Sequence, residues 1–318
     1  MKIAALACIL TFIVSISACS PGTAEQNTIS KGNQNNSQET KPAPTPNEEL
    51  RKRVEQAAAA KGRVGVGIML LETGESVYLN QNEQFPMQSV YKLPIAMAAM
   101  RQVDNGNLQL QQKVRVEKDD FVRRGMNSPL RDKNPNGTEI SVAELLSLSV
   151  SQSDGTASDV LFRLAGGAEA IHKFLEEIEV KEVMVVNTEK EIGRDWETQY
   201  RNWASPDGAV SLLRALHEGR GLSEESRAFL LKILTETTTG PRRLKGLLPK
   251  GTPVAHKTGT GGTRNGVTGA TNDIGIITLP NGNHLAVAVF VADSPADEAT
   301  RERVIAEIAK IAWDEWSK

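Results

Sequence analysis

Strand-type patterning lies near both ends of the folding part of this chain and helical patterning fills its middle, an order that few architectures accommodate. Arg63 to Leu71 alternates and is rich in Val, Ile and Leu. Glu72-Thr73-Gly74-Glu75 reads as a turn, and Ser76 to Leu79 returns as the second arm of a hairpin. Far along the chain, Thr252–Lys257, Asn272–Leu279 and Leu285–Ala292 read as strands, with Asn281-Gly282 as a hairpin turn. Between them, apolar residues recur at helical spacing over Gln88–Val103, Ser141–Val150, Asp154–Leu164, Ala168–Ile178, Asp207–Glu218 and Glu224–Glu236. Stretches 117–137 and 185–204 are irregular. Further helices bracket the strands: Asn47 to Lys61, where Leu50, Val54 and Ala58 repeat and Gly62 ends the pattern, and Glu298–Trp316. The order predicts an α/β fold of the α+β type. One antiparallel sheet joins the first hairpin to the late strands, the terminal helices flank it, and the middle helices form an all-helical lobe. The expected bounds are 48–85 and 237–318 for the α/β lobe and 86–236 for the helical lobe, with a site in the cleft between them.

The first 47 residues stand outside this pattern. Met1-Lys2 is a short positive start, and Ile3 to Ile16 is an apolar run too short to span a bilayer as a mature helix. Residues 1–18 therefore read as a secretory signal. Ile16-Ser17-Ala18-Cys19 resembles a bacterial lipoprotein cleavage box, which implies lipidation of Cys19; the plainer alternative is an ordinary signal cut nearby. Residues 19–47, rich in Ser, Thr, Asn, Gln and Pro, bury too little to offset their ordering entropy and read as a tether. This leader implies secretion across the inner membrane and a lipid-anchored protein in the periplasm. The remaining residues, 48–318, suffice for one large body and contain no cysteine, because the two in the chain are Cys8 and Cys19. A disulfide, a thiol nucleophile and Cys-ligated metal are excluded there. A net charge of −2, with no basic run in the body, argues against nucleic acid as a partner.

Three short strings carry the chemistry. In Ser89-Val90-Tyr91-Lys92 a serine and a lysine are three apart and share one face of a helix whose first turn tolerates Pro94. A serine near a helix N-terminus sits where free N–H groups favour developing negative charge, and a lysine there can take its proton when burial and neighbouring cations lower its pKa. Apolar Phe85, Met87, Leu93 and Ile95 around the string argue against a solvated face. Ser153-Asp154-Gly155 opens a predicted helix and could be no more than a cap. Lys257-Thr258-Gly259 ends a predicted strand and could be no more than its exit into a loop. Jointly they offer a nucleophile, a base, a hydroxyl to return a proton and a second cation, which is acyl transfer without histidine. His172, His217, His256 and His284 show no ligand spacing, so a zinc hydrolase is not expected, and no metal or organic cofactor is needed.

Read in this order, the strings resemble the penicillin-recognising serine enzymes, and over about 48–316 the chain is similar to class A serine β-lactamases. Thr237-Thr238-Thr239-Gly240-Pro241, Leu244-Lys245-Gly246-Leu247-Leu248-Pro249 and Ala255-His256-Lys257-Thr258-Gly259-Thr260 resemble the PER-type extended-spectrum branch. The resemblance implies the serine β-lactamase/D,D-peptidase-like fold and a monomer that hydrolyses penicillins and cephalosporins through an acyl-serine. It implies Ser89 as nucleophile, Lys92 as base with Glu189 acting through water as the other candidate, and Ser153 as the proton shuttle. Lys257, Thr258, Gly259, Thr260 and Gly155 would line the substrate site. Lys257 would anchor the substrate carboxylate, and the N–H groups of Ser89 and Thr260 would form the oxyanion hole. Aligning Val185-Val186-Asn187-Thr188-Glu189 places the deacylating glutamate at Glu189, with Glu191 as competitor. Three departures stand out: Gly155 and Gly193 replace family asparagines, and Asn187 and Asn202 replace an Arg–Asp pair that closes the loop. The alternatives are a D,D-peptidase, or a β-lactam sensor that is acylated without turnover.

Overall fold

The computed structural model describes residues 46–59 and 62–318. The expected signal (1–18), Cys19 and nearly all of the expected tether lie outside the described residues; residues 46 and 47, assigned to the tether, open the first helix. That helix, α1 (Pro46–Ala57), ends earlier than its periodicity suggested and leads to β1 (Arg63–Leu70) and β2 (Ser76–Leu79). β3 (Phe85–Pro86) and a 3₁₀ turn (Gln88–Tyr91) precede α2 (Lys92–Asp104). Then follow β4 (Lys113–Val116), α3 (Pro129–Lys133), β5 (Thr138–Ser141), α4 (Val142–Ser151), α5 (Gly155–Leu164) and α6 (Gly167–Glu177). The next part holds β6 (Val183–Met184), α7 (Glu189–Ile192), β7 (Trp203–Ala204), α8 (Pro206–Glu218) and α9 (Glu224–Thr235). The chain closes with β8 (Val254–Thr260), β9 (Thr263–Arg264), β10 (Val267–Thr278), β11 (His284–Ser294) and α10 (Glu298–Trp316).

The main sheet has the order β2-β1-β11-β10-β8, with β9 paired to β10, and every pairing is antiparallel. The fold class is thus the expected one: the first hairpin meets the late strands through β1 and β11. Period-two alternation divides the sheet's side chains between two cores. Leu285, Val287, Val289 and Val291 of β11 join Val64, Val66 and Ile68 of β1 under α1 and α10, where Leu50, Val54, Ile305 and Ile308 meet them. Ala286, Ala288, Phe290 and Ala292 face the other way, toward the helices. On that face Gly65 and Gly67 leave room for close packing. A Cβ at Gly65 would lie 2.4 Å from the Phe85 ring, and one at Gly67 2.7 Å from Val210 of α8. So α8, inside the stretch expected for the helical lobe, packs on the sheet itself.

α2 is buried from Lys92 through Met100 and is the axis of the helical part, touching α4, α5, α6 and α9. Its neighbours start where polar caps predict. Ser141 caps α4 in a reciprocal box with Glu144, Asp154 caps α5, Ser205 caps α8 and Ser223 caps α9. Each such cap contributes about 1 kcal/mol. The short elements were not foreseen: β4 pairs β5, and α3 and α7 lie in the stretches expected to be irregular. β8 also runs on to Thr260, so Lys257-Thr258-Gly259 lies inside a strand rather than at its end.

Candidate active site

The 3₁₀ turn before α2 sets the geometry. Gln88 has φ +48°, a left-handed conformation rare for a residue with a side chain, and Ser89 follows it. Lys92, fully buried, is the first residue of α2; its backbone N–H donates to Ser89 O. Its Nζ donates to Ser153 O at 2.8 Å and lies 3.2 Å from Glu189 Oε2. Ser153 is itself left-handed, φ +57°, and such strain persists only where surroundings enforce it. The enforcing contacts are visible. Asn127 Nδ2 donates to Gln152 O and Ser153 O, Gly155 N–H donates to Asn127 O, and the Asp154 carboxylate accepts from Leu130 N–H and Ala157 N–H.

β8 brings in the second cation. Lys257 is fully buried, and its Nζ donates to Ser153 Oγ and Thr258 O, both at 3.0 Å. Burial, then the nearby Lys92 ammonium, hold its pKa well below the usual lysine value. Gly259 permits the approach: a Cβ there would stand 2.3 Å from Met87 O, in the segment that leads to Ser89. Beneath the strand, buried Arg243 donates to Gly259 O, Asn272 O and Thr260 Oγ1 and pairs with Glu302 at 3.3 Å. His256, on the other side of β8, lies 2.9 Å from Asp273 in a buried contact between neighbouring strands.

The loop glutamates have separate places. Thr188 caps α7 and forms a reciprocal box with Glu191, whose Oε2 accepts from Thr188 N–H, Thr188 Oγ1 and Asn187 Nδ2. The carboxylate of Glu191, the competitor, is occupied there, and these bonds hold its pKa low. Glu189 turns inward to Lys92 and accepts a 2.5 Å hydrogen bond from Tyr91 Oη. Burial raises the Tyr91 pKa far up, with the Glu189 and Asp159 charges adding to it, so the phenol stays neutral and donates. The two asparagines that replace an Arg–Asp pair hold the loop differently. Asn202 Oδ1 accepts from Val186 N–H and Asn187 N–H, each at 2.9 Å, and Asn202 Nδ2 donates to Asn187 O at 2.8 Å.

Sequence reasoning missed Asp159, Tyr91, Asn127 and Arg243. Asp159 accepts from Glu189 N–H at 2.6 Å and Lys190 N–H at 3.0 Å, fixing the start of α7. Burial raises its pKa to about 7; the two N–H donors oppose that and the Glu189 charge adds to it. A carboxyl raised in the folded state stabilises fully below its unfolded pKa and loses that contribution as pH rises through the folded value. Across pH 5 to 8 the loss is roughly 2–3 kcal/mol. Asp159→Asn does not titrate, so urea melts at the two pH values should show the variant gaining on the native enzyme by that order as pH rises. A difference independent of pH would contradict a raised Asp159.

Ser89, Asn127, Ser153, Glu189, Thr258 and Thr260 line one cleft of ≈ 600 Å³. A serine one helical turn from an ion-paired lysine, a second serine hydroxyl on a buried lysine and no histidine among the residues lining the cleft fit a serine enzyme of the acyl-transfer type. The match to known proteins is specific. The model of the β-lactamase enzyme family matches residues 46–316. The chain is 41% identical to β-lactamase VEB-1 of Pseudomonas aeruginosa over 265 residues, 82% of this chain and 88% of that protein. It is 45% identical to extended-spectrum β-lactamase PER-1 of the same organism over 253 residues, 80% of this chain and 82% of that one. The crystal structure of a β-lactamase from Chitinophaga pinensis superposes with a TM-score of 0.82 at 46% identity, covering 84% of this chain and 98% of that one. The chain belongs to the β-lactamase enzyme family, in class A and on its PER-type side.

Proposed function

We propose that the chain opens penicillins and cephalosporins by acylating Ser89 and then hydrolyses the ester. Lys92 takes the Ser89 proton, with Glu189 acting through water as the other candidate base. Ser89 Oγ attacks the lactam carbonyl, and the charge gathers on an oxygen facing the N–H groups of Ser89 and Thr260, each donor contributing about 3 kcal/mol. The C–N bond breaks, and Ser153 passes its proton to the ring nitrogen and takes back from the base the one removed from Ser89, with the Lys257 ammonium 3.0 Å from its hydroxyl favouring the transfer. Thr258 and Thr260, with Lys257, hold the substrate carboxylate. Glu189 then takes a proton from water as the water attacks the ester, and that proton passes through Lys92 to Ser89 Oγ as the ester C–O bond breaks. Carrying this reading is the placement of Glu189 Oε2 3.2 Å from Lys92 Nζ in the cleft that Ser89 lines. A D,D-peptidase or a sensor lacks such a loop carboxylate and stays acylated. Mixing the enzyme with excess chromogenic cephalosporin separates the readings: continuous colour supports hydrolysis, and one stoichiometric burst overturns it.

The open cleft supports acceptance of bulky oxyimino-cephalosporins. The location is periplasmic. Lipidation of Cys19, a tether over 19–47 and a monomeric state complete the proposal; no helix among the described residues is long and apolar enough to cross a membrane. The glycine at 155 has its own consequence. A Cβ there would stand 2.8 Å from Glu189 Cγ and 3.2 Å from Val122. Restoring the family residue with Gly155→Asn should displace Glu189, lower kcat about tenfold to a hundredfold and raise the steady-state fraction of acyl-enzyme seen by intact-mass measurement. An unchanged kcat would show that the loop yields without cost.

A further inference from the structure

The fold assembles a group of side chains that their spacing in the chain conceals. Glu72 lies in the turn between β1 and β2, His217 in the last turn of α8 and His284 at the first position of β11. Glu72 Oε1 is 2.8 Å from His284 Nδ1, and the His284 backbone N–H donates to both carboxylate oxygens at 3.0 and 2.9 Å. The His217 and His284 rings are 4.6 Å apart, centroid to centroid. One ligand atom from each of the three residues lies within 4.8 Å of the others.

We infer that Glu72, His217 and His284 form a binding site for a divalent transition-metal ion of the zinc type, separate from the catalytic cleft. Two imidazoles and one carboxylate are a borderline donor set, suited to Zn²⁺, Ni²⁺ or Cu²⁺ rather than to the all-oxygen shells of Ca²⁺ or Mg²⁺. Three protein ligands leave the fourth tetrahedral position to water. Ligand atoms around tetrahedral zinc stand about 3.3 Å apart, given metal–ligand bonds of about 2.0–2.1 Å. Closing from 4.8 Å asks only for side-chain rotation, and all three side chains keep some exposure to solvent. The carboxylate is already oriented by the His284 backbone. His217 lies in the last turn of a thirteen-residue helix, where the helix dipole favours a cation. Arg227, whose guanidinium donates to His217 O, is the competing positive charge; Glu72 and Glu218 are the negative ones. A bound ion would tie α8 to two strands of the sheet.

The site is remote from the chemistry. Lys257 pairs with Ile274 and Ile274 with Ala288, so His284 lies two strands across and four residues along, about 13 Å in the strand direction. The untagged full chain titrated with zinc chloride in a calorimeter should bind one ion in the micromolar range. The imidazole resonances of His217 and His284 should shift in NMR spectra while those of His172 and His256 stay in place. His217→Gln and His284→Gln should each weaken binding by about tenfold or more, with turnover of a chromogenic cephalosporin unchanged. No saturable binding up to millimolar zinc, binding unaffected by both substitutions, or shifts confined to other histidines would overturn the inference. Should a variant fail to fold, the NMR titration of the unaltered chain decides alone.

Discussion

Glu189→Gln should leave an enzyme that acylates and then stalls. The glutamine keeps the size of the side chain and can still accept from Tyr91 Oη, now 2.5 Å from Glu189 Oε2, but it cannot take a proton from water. Loss of a positioned general base costs about a thousandfold in rate. The expected record is a burst of one equivalent, a persistent acyl adduct in the intact mass and a steady-state kcat down by about that factor. The substitution also removes one member of a buried ion pair, since Lys92 is 1% and Glu189 15% exposed, at a cost of order 3 kcal/mol. A urea melt must therefore show that the variant is folded at the assay temperature. Unchanged turnover would move the base elsewhere. Glu191, the other loop glutamate, is a poor heir, because its carboxylate is committed to capping α7.

Why some of this was legible in the sequence follows from how each element is held. β1, β2, α2, α4, α5, α6 and the closing helix announce themselves because their apolar periodicity matches their burial. Polar caps such as Asp154 and Ser205 mark where their helices start. β10 was seen only in its second half. The part missed, 267–271, contains Thr268 and Thr271, and the expected strand opened on Asn272; all three are buried and polar. Two of them are satisfied from outside the hairpin: Asn272 donates to Pro86 O and Met87 O, and Thr271 Oγ1 accepts from Arg301. No local pattern encodes partners 30 to 186 residues distant. The same holds for α7, four residues stabilised by a Thr188 cap and by Asp159 from α5.

The candidate site divides along a similar line. The motifs single out Ser89, Ser153, Glu189, Thr258 and Thr260, which meet at one cleft, whereas the residues that hold them in place were not foreseen. Arg243 and Asp159 look like ordinary loop and helix charges until the fold buries them beside Thr260 and Glu189. Tyr91 was quoted only as a spacer between Ser89 and Lys92, although a helical spacing that aims Lys92 into the core also buries its neighbour. The two asparagines were flagged as a missing ion pair. Their amide bonds to backbone, given by Asn202, restore the closure without charge.

Lys257→Met should trade activity for stability. Among the described residues Lys257 makes no ion pair; its ammonium rests on two neutral oxygens, Ser153 Oγ and Thr258 O. An ammonium buried in that way costs free energy, and the direction of its pKa agrees: burial, with Lys92 nearby, lowers it. For a lysine whose folded pKa is depressed, the contribution to stability is full above the unfolded pKa and is lost as pH falls through the folded one. At neutral pH the native enzyme therefore carries the penalty of a charge its surroundings disfavour. Methionine fills similar volume without it, so a gain of about 1–3 kcal/mol is expected in urea melts. Activity should move the other way. Without the cation, the substrate carboxylate loses a charged hydrogen bond and Ser153 loses the donor that favours its proton transfer. Together these should lower kcat/KM for a penicillin by roughly a hundredfold or more. Lys92→Met makes the contrast, because it strands the buried Glu189 carboxylate and should destabilise the enzyme by about 3 kcal/mol. If both substitutions destabilise alike, the Lys257 ammonium is a structural partner of Ser153 rather than a strained catalytic charge, and its assignment to the substrate carboxylate fails with that result.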